Sequence, residues 1–278
     1  MTEVAGPVVR IGGLDKVFVT GGGSGRTTAL QGIDLEIQRG EFVSLIGPSG
    51  CGKSTLLRII GDLTQPTTGS VSVNAKSAHA ARVQREYGMV FQAPVLFDWR
   101  TVEDNVKLPL ELIGMGRAAR HERAREMLEL VELADFSRHY PYHLSGGMQQ
   151  RVAIARALAL QPAILLMDEP FGALDEMTRE RMNSEVLRIW QQTRTTIVFV
   201  THSIPEAVFL STRVAVMSPR PGRITRIVDV DLAQPRNELT REDPHYFELV
   251  TDVREALRGR GVVATPSAER MAAEGAVG

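Results

Sequence analysis

Gly47-Pro48-Ser49-Gly50-Cys51-Gly52-Lys53-Ser54-Thr55 lies between two apolar segments of different period. Before it, Phe42 to Ile46 is a short continuous apolar run, the pattern of a buried strand. After it, Leu56, Leu57, Ile59, Ile60 and Leu63 recur as one face of a helix. The stretch fits G-x-x-x-x-G-K-[ST] through Gly47, Gly52, Lys53 and Ser54. Its glycines let the backbone curl until several N–H groups point at one phosphate chain. The helix N-terminus adds partial positive charge. Lys53 reaches the outer phosphates, and the Ser54 hydroxyl is of the right type to ligate Mg2+. The competing reading is a Gly/Ser turn ahead of a core helix.

Composition narrows the class. The chain has 278 residues, 43% hydrophobic and 23% charged, as in soluble globular proteins. This length predicts one nucleotide domain with an inserted subdomain. A formal net charge of -1 supplies no global basic field for nucleic acid or anionic membrane. Cys51 is the single cysteine, so no internal disulfide forms and a reducing compartment fits. The sequence shows no signal-peptide pattern and no apolar run of membrane-spanning length. Work at a membrane is therefore expected through a partner.

Val8 to Val19 and Ile33 to Ile37 alternate as strands of an antiparallel layer, with a Gly-rich loop from Thr20 to Gly25 between them. Phe18, just before that loop, either stacks on an adenine or is an ordinary strand-end core residue; the residues alone favour the second. Thr64 to Gly69 is turn-rich. Val71 to Val73 and Tyr87 to Phe91 are short strands, the latter ending at Gln92, whose carbonyl can face Mg2+ or a water. Between Ala93 and about His143 the pattern turns helical, over Val102 to Ile113 and Arg117 to Leu133. Trp99 is either a core anchor of this insertion or part of a partner-facing surface.

The turn Leu144-Ser145-Gly146-Gly147-Met148-Gln149-Gln150-Arg151 opens another helix. Ser145 is an N-cap, and the turn is also a possible second anion site. Ala163 to Met167 is an apolar strand delivering Asp168 and Glu169. Side by side on a strand they point to opposite faces, suiting Asp168 to the Mg2+ shell and Glu169 to the attacking water. Asp175 caps a helix through Met182, Val186 and Ile189. Thr195 to Val200 is a buried strand ending at Thr201-His202, where open α/β sheets place ligand groups. Arg213 to Met217 and Arg223 to Val230 pair around a Pro/Gly turn, and His245 to Leu257 is expected as a surface helix. From Arg258 onward the chain is Gly/Ala-rich and expected to fray.

The order P-loop, Gln92, Leu144 to Arg151, Asp168-Glu169, Asp175, His202 resembles the ATP-binding subunits of ABC transporters, over roughly residues 8–230. Phe91-Gln92-Ala93-Pro94, Trp99 to Val102 and Val216 to Arg223 look like the nitrate/sulfonate/taurine-type importer ATPases, although Phe97-Asp98 stands where that group carries Leu-Pro. The resemblance implies an α/β fold, a P-loop NTPase with a RecA-like core and an antiparallel β layer. It places a helical subdomain at about 93–157 and a C-terminal extension at 231–278. It implies that Phe18 stacks on adenine and that Gly47, Pro48, Ser49, Gly50, Cys51, Gly52, Lys53, Ser54 and Thr55 cradle ATP. Ser54, Gln92 and Asp168 would hold Mg2+. Glu169 would be the general base, His202 would position the γ-phosphate, and Gln92 would couple to the membrane subunit. Ser145, Gly146, Gly147 and Asp175 would meet the ATP of a second copy across a head-to-tail homodimer.

The implied partners are a transmembrane permease and, indirectly, an extracytoplasmic solute-binding protein, with the subunit peripheral on the cytoplasmic face of the cell membrane and no nucleic acid involved. The alternative is a soluble ABC-type ATPase acting without a permease. A P-loop kinase would lack the Leu144 to Arg151 turn. Amides and a helix N-terminus around Cys51 are of the kind that lowers a thiol's pKa, so that alkylation should block ATPase activity and ATP should protect; the alternative is a small residue that merely fits the turn, with Cys51→Ala keeping activity, and the two are compatible.

Overall fold

The computed structural model of the protein describes residues 6–20 and 25–259. Strands β1 (Val9–Thr20), β2 (Gly25–Ile37), β4 (Thr68–Val73) and β5 (Lys76–Ser77) form an antiparallel sheet in the order β2-β1-β4-β5. A second sheet has the order β10-β9-β3-β8-β7-β6, built from β3 (Phe42–Ile46), β6 (Tyr87–Val90), β7 (Ile164–Asp168), β8 (Thr196–Val200), β9 (Arg213–Met217) and β10 (Ile224–Asp229). Its pairings are parallel except for the β9–β10 edge. Every residue of β3, β7 and β8 is buried. Strands covered on both faces read as continuous apolar runs, which is why these three were legible.

Three element boundaries differ from the sequence reading, and two helices were not foreseen. The second strand begins at Gly25, well before Ile33, because Arg26, Thr27 and Thr28 pair with Val19, Phe18 and Val17 despite lacking apolar alternation. Residues 21–24 of the expected loop and the tail from 260 lie outside the described residues. Thr68 and Gly69, read as turn, already belong to β4. Helices α2 (Ala78–Val83) and α7 (Ile204–Leu210) were not foreseen, being too short to show a helical period. Helix α4 (Arg117–Leu130) stops before Leu133, as Glu132 turns left-handed at φ 56°.

Helices α3 (Val102–Leu112), α4 and α5 (Gly146–Leu158) pack together through Val106, Leu110, Ala124, Leu128 and Val152. The loop entering α3 is held by one buried side chain. Asn105 Oδ1 accepts from the Phe97 amide at 2.8 Å, while its Nδ2 lies 3.1, 3.2 and 3.0 Å from the carbonyls of Phe97, Arg100 and Thr101. Trp99, on this loop, is 75% exposed with its ring 4.8 Å from that of Phe97, which excludes the core-anchor reading. Asn105→Ala would take these partners from the Phe97 amide and the Arg100 carbonyl, while the Phe97 and Thr101 carbonyls keep the amides of Arg100 and residue 105; it is expected to cost about 2 kcal/mol, to be read from a urea titration.

Helix α6 (Glu176–Thr193) packs beside α5 and α7, with Trp190 Nε1 donating to the Gly40 carbonyl at 3.1 Å. Helix α8 (Pro244–Leu257) is more than a surface helix: Tyr246, Leu249, Val250 and Val253 are buried in the same core as α7. Arg236 pins the connecting segment by donating to the carbonyls of Val208, Phe209 and Ser211, and burial lowers its guanidinium to about 10.

Candidate nucleotide site

Helix α1 (Lys53–Ile60) follows β3 across the loop 47–52, and Gly52 makes the junction to the helix. Its φ is 108°, and a Cβ there would stand 2.6 Å from Leu30 Cδ2, so backbone conformation and space both demand glycine. Because β7, β8 and β3 are neighbours in the parallel sheet, their carboxyl ends bring Asp168, Thr201-His202 and the loop 47–52 together. Ser54 Oγ donates to Asp168 Oδ1 at 2.6 Å, so these two oxygen donors, 114 residues apart in sequence, meet. Lys53 is buried, and its ammonium donates to the carbonyls of Gly47 at 2.8 Å and Pro48 at 3.2 Å.

A cavity of about 420 Å³ opens over this loop, lined among others by Phe18, Ser49, Lys53, Thr55, Glu169 and Arg220. Phe18 is 41% exposed, so the core reading favoured by the residues alone is wrong. It sits on β1 opposite Thr27, and Lys16 Nζ stands 4.8 Å from its ring centroid. A larger cleft of about 700 Å³ lies at the other, amino ends of β6, β7 and β8, beside Glu86, Ala163 and Thr195. Its Arg123 is occupied by the carbonyls of Leu158 and Ala159, and it contains no phosphate loop.

Glu169 does not extend the strand. β7 stops at Asp168, and Glu169 takes a left-handed φ of 46°. The two carboxylates therefore diverge because the chain turns, and not by strand alternation as the sequence suggested. The turn is tied down by the Glu169 amide donating to Val200 at 3.0 Å and the Gly172 amide donating to the Glu169 carbonyl at 3.1 Å. His202 Nδ1 stands 3.6 Å from Glu169 Oε2, the imidazole more than half exposed. Gln92 is exposed, lies against Gly172 and does not line the cavity. Buried Gln150 fixes the backbone just before it, donating from Nε2 to the Phe91 carbonyl at 2.9 Å.

Ser145, Gly146, Gly147 and Asp175 form a second group. Ser145 caps α5, its Oγ accepting from the Met148 amide at 3.3 Å. Asp175 caps α6 by accepting from the Thr178 amide at 3.0 Å, a bond that holds its carboxyl below the usual range. Gly147 packs against Thr178, so the two caps adjoin. None of these four residues lines the cavity over the phosphate loop.

Two residues of the site escaped the sequence reading. Arg220 donates from Nε and Nη2 to the Gly50 carbonyl at 3.2 and 3.1 Å, clasping the phosphate loop from the β9–β10 turn. Gly222 exchanges backbone bonds with Ala29 and Gln31, both 2.9 Å. Sequence signalled only a Pro/Gly turn, since a contact across 170 residues leaves no local pattern. Cys51 is buried, 1% exposed, and this overturns the expected thiol reactivity. Alkylation is now expected to be slow in the folded protein and fast after denaturation, as a timed thiol titration would show.

Among the described residues no cluster of three or more His, Cys, Asp or Glu could hold a metal by itself. Among the described residues no helix is long and apolar enough to cross a membrane.

A family model described as ABC transporter matches residues 30–172. The nitrate import ATP-binding protein of Synechocystis sp. is 45% identical over 253 residues, 89% of this chain and 94% of its own. The taurine import ATP-binding protein of Jannaschia sp. is 42% identical, over 85% of this chain and 91% of its own. Among solved structures, a dimeric ATP-binding cassette in a post-hydrolysis state, bound to ADP and Pi, superposes with a TM-score of 0.69 at 37% identity, covering 80% of this chain and 98% of that one.

Proposed function

The chain belongs to the ABC transporter family as an ATPase, and from that premise we propose that it powers solute import through a separate membrane permease. The proposed solute is small and organic or anionic, in the range of nitrate, sulfonates and taurine. The names of its relatives favour this over an ATPase working without a permease. The observation that carries the mechanism is the separation of Ser145 to Gly147 and Asp175 from the cavity over the phosphate loop. A chain carrying one phosphate loop and one remote signature turn completes its sites by pairing head to tail with a second copy.

In this reading Phe18 stacks on the adenine, and the amides of residues 47–55 bind the phosphates. Lys53 turns from the loop carbonyls to the outer phosphate oxygens. The adjoining Ser54 hydroxyl and Asp168 carboxylate are hard oxygen donors of the kind Mg2+ prefers, with Gln92 as a further donor. Mg2+, when bound, neutralises phosphate charge. Glu169 accepts a proton from the water that attacks the γ-phosphorus, ADP leaves as the P–O bond breaks, and His202 orients the γ-phosphate. Trp99 and its loop offer the surface for a short permease helix, turning closure on ATP into motion of the transport path.

Ser145→Arg tests the shared site. It should abolish hydrolysis while nucleotide affinity of the isolated chain stays at the wild-type level, because Ser145 does not touch its own phosphate loop. Normal turnover in that variant would sink the composite site. The permease reading is checked by Trp99→Ala, which should leave hydrolysis intact and weaken co-purification with the permease.

A further inference from the structure

Glu206 is a buried carboxyl that the mechanism above does not use. It lies in the first turn of α7 and is 5% exposed. Thr201 Oγ donates to its Oε2. The same Thr201 oxygen accepts from the Ser203 amide at 3.0 Å, and Ser203 Oγ accepts from the Glu206 amide at 3.4 Å. The residues on both sides of His202 are thus stapled to Glu206. Its other oxygen, Oε1, is buried without a partner, as is Arg179 Nε on α6. Both residues line a cavity of about 10 Å³, shared with Glu169, Gly172, His202 and Ser203.

The cavity has the room of a single water, and the unpaired acceptor of Glu206 and the unpaired donor of Arg179, both on residues that line it, supply the kind of bonding such a water needs. Burial, the leading cause, pushes the Glu206 carboxyl above the usual range, with the Thr201 hydrogen bond first and then Arg179, His202 and the Asn183 side chain acting the other way. Arg179 also donates from Nη2 to the Leu174 carbonyl at 2.8 Å, one residue before Asp175.

We propose that Glu206 is a positioning residue for hydrolysis: it anchors the backbone around His202 and, with Arg179, holds one water beside His202 and Glu169, linking both side chains to the segment that carries Asp175. The inference rests on the assignment of Glu169 and His202 made above. Loss of the carboxyl loosens the aim of His202 and Glu169 while leaving the phosphate loop intact. The expected signature is a fall in kcat without a change in KM.

The test is steady-state ATP hydrolysis and nucleotide binding by the full-length chain, comparing Glu206→Ala, Glu206→Gln, Thr201→Val and the double variant T201V/E206A, with Glu169→Gln as reference. Glu206→Ala should lower kcat about ten-fold with KM and nucleotide affinity within about two-fold of wild type. Thr201→Val should do the same, and the double variant should be no slower than the slower single one, since both act through one chain of bonds. Glu206→Gln keeps the acceptor for Thr201 and should recover most of the rate. A merely structural role would lower affinity together with kcat. Wild-type turnover in Glu206→Ala, losses that multiply in the double variant, or affinity falling in step with kcat would each overturn the proposal. If Glu206→Ala does not fold, the test passes to Thr201→Val, expected to lose kcat with affinity unchanged, and to Glu206→Gln, expected to keep most of the rate; failure of either expectation overturns the proposal. An inactive Glu169→Gln beside a normal Glu206→Ala would refute only this inference, whereas an active Glu169→Gln would refute the assignment beneath it.

Discussion

Glu169→Gln is expected to lower ATP turnover by about 10²–10⁴-fold, the range a positioned general base contributes. The substitution preserves volume and the backbone bonds that hold the turn, so folding and nucleotide affinity should persist. Because Glu169 takes a left-handed conformation between anchored backbone groups, its side chain leaves the strand toward the cavity it shares with Lys53 and Ser54. With binding intact and hydrolysis blocked, Mg-ATP should trap the closed dimer, visible as a shift in sizing chromatography. Normal turnover would remove Glu169 as the base. An inactive variant that stays monomeric would mean that closure requires the permease.

The second large effect is expected at Gly222, which touches no phosphate. A Cβ built there collides with the Cys51 carbonyl oxygen inside the phosphate loop and approaches Met217 Cε at 3.2 Å. The decisive obstacle is the Cys51 carbonyl, which is backbone and buried in the loop, whereas the Met217 methyl ends a flexible side chain. Gly222→Ala must therefore displace either the loop or the β9–β10 turn, an overpacking that costs roughly 1–3 kcal/mol. Nucleotide affinity should fall with stability, as a melt and a binding titration on the same sample would show. Arg220→Ala, which removes only the contact to Gly50, should weaken nucleotide binding and leave the melting temperature nearly unchanged. Equal affinity in Gly222→Ala and wild type would show that the turn does not shape the loop.

Much of this molecule was legible before any coordinates. The apolar runs at 42–46, 163–167 and 195–200 announced buried strands because parallel strands are covered on both faces. The phosphate loop, the Ser-Gly-Gly turn and the acidic strand end are local patterns whose chemistry is written in residue type and spacing. Short elements such as α2 and α7 were not legible, having too few residues to reveal a period. Phe18 was misread from the residues alone because a strand-end aromatic looks the same whether it is buried or open.

The chain by itself determined the class of site and the residues from which it is made, since a strand, a glycine loop and a helix in succession can be read within one short window. Only the tertiary structure decided which of them meet. Strand order places Asp168 against Ser54, and the β9–β10 turn against Gly50, across 114 and 170 residues. The same packing buries Cys51, leaves Trp99 in the open and keeps Ser145 away from its own phosphate loop. Contacts of that range depend on the order in which strands join the sheet, and no local property of the sequence encodes it.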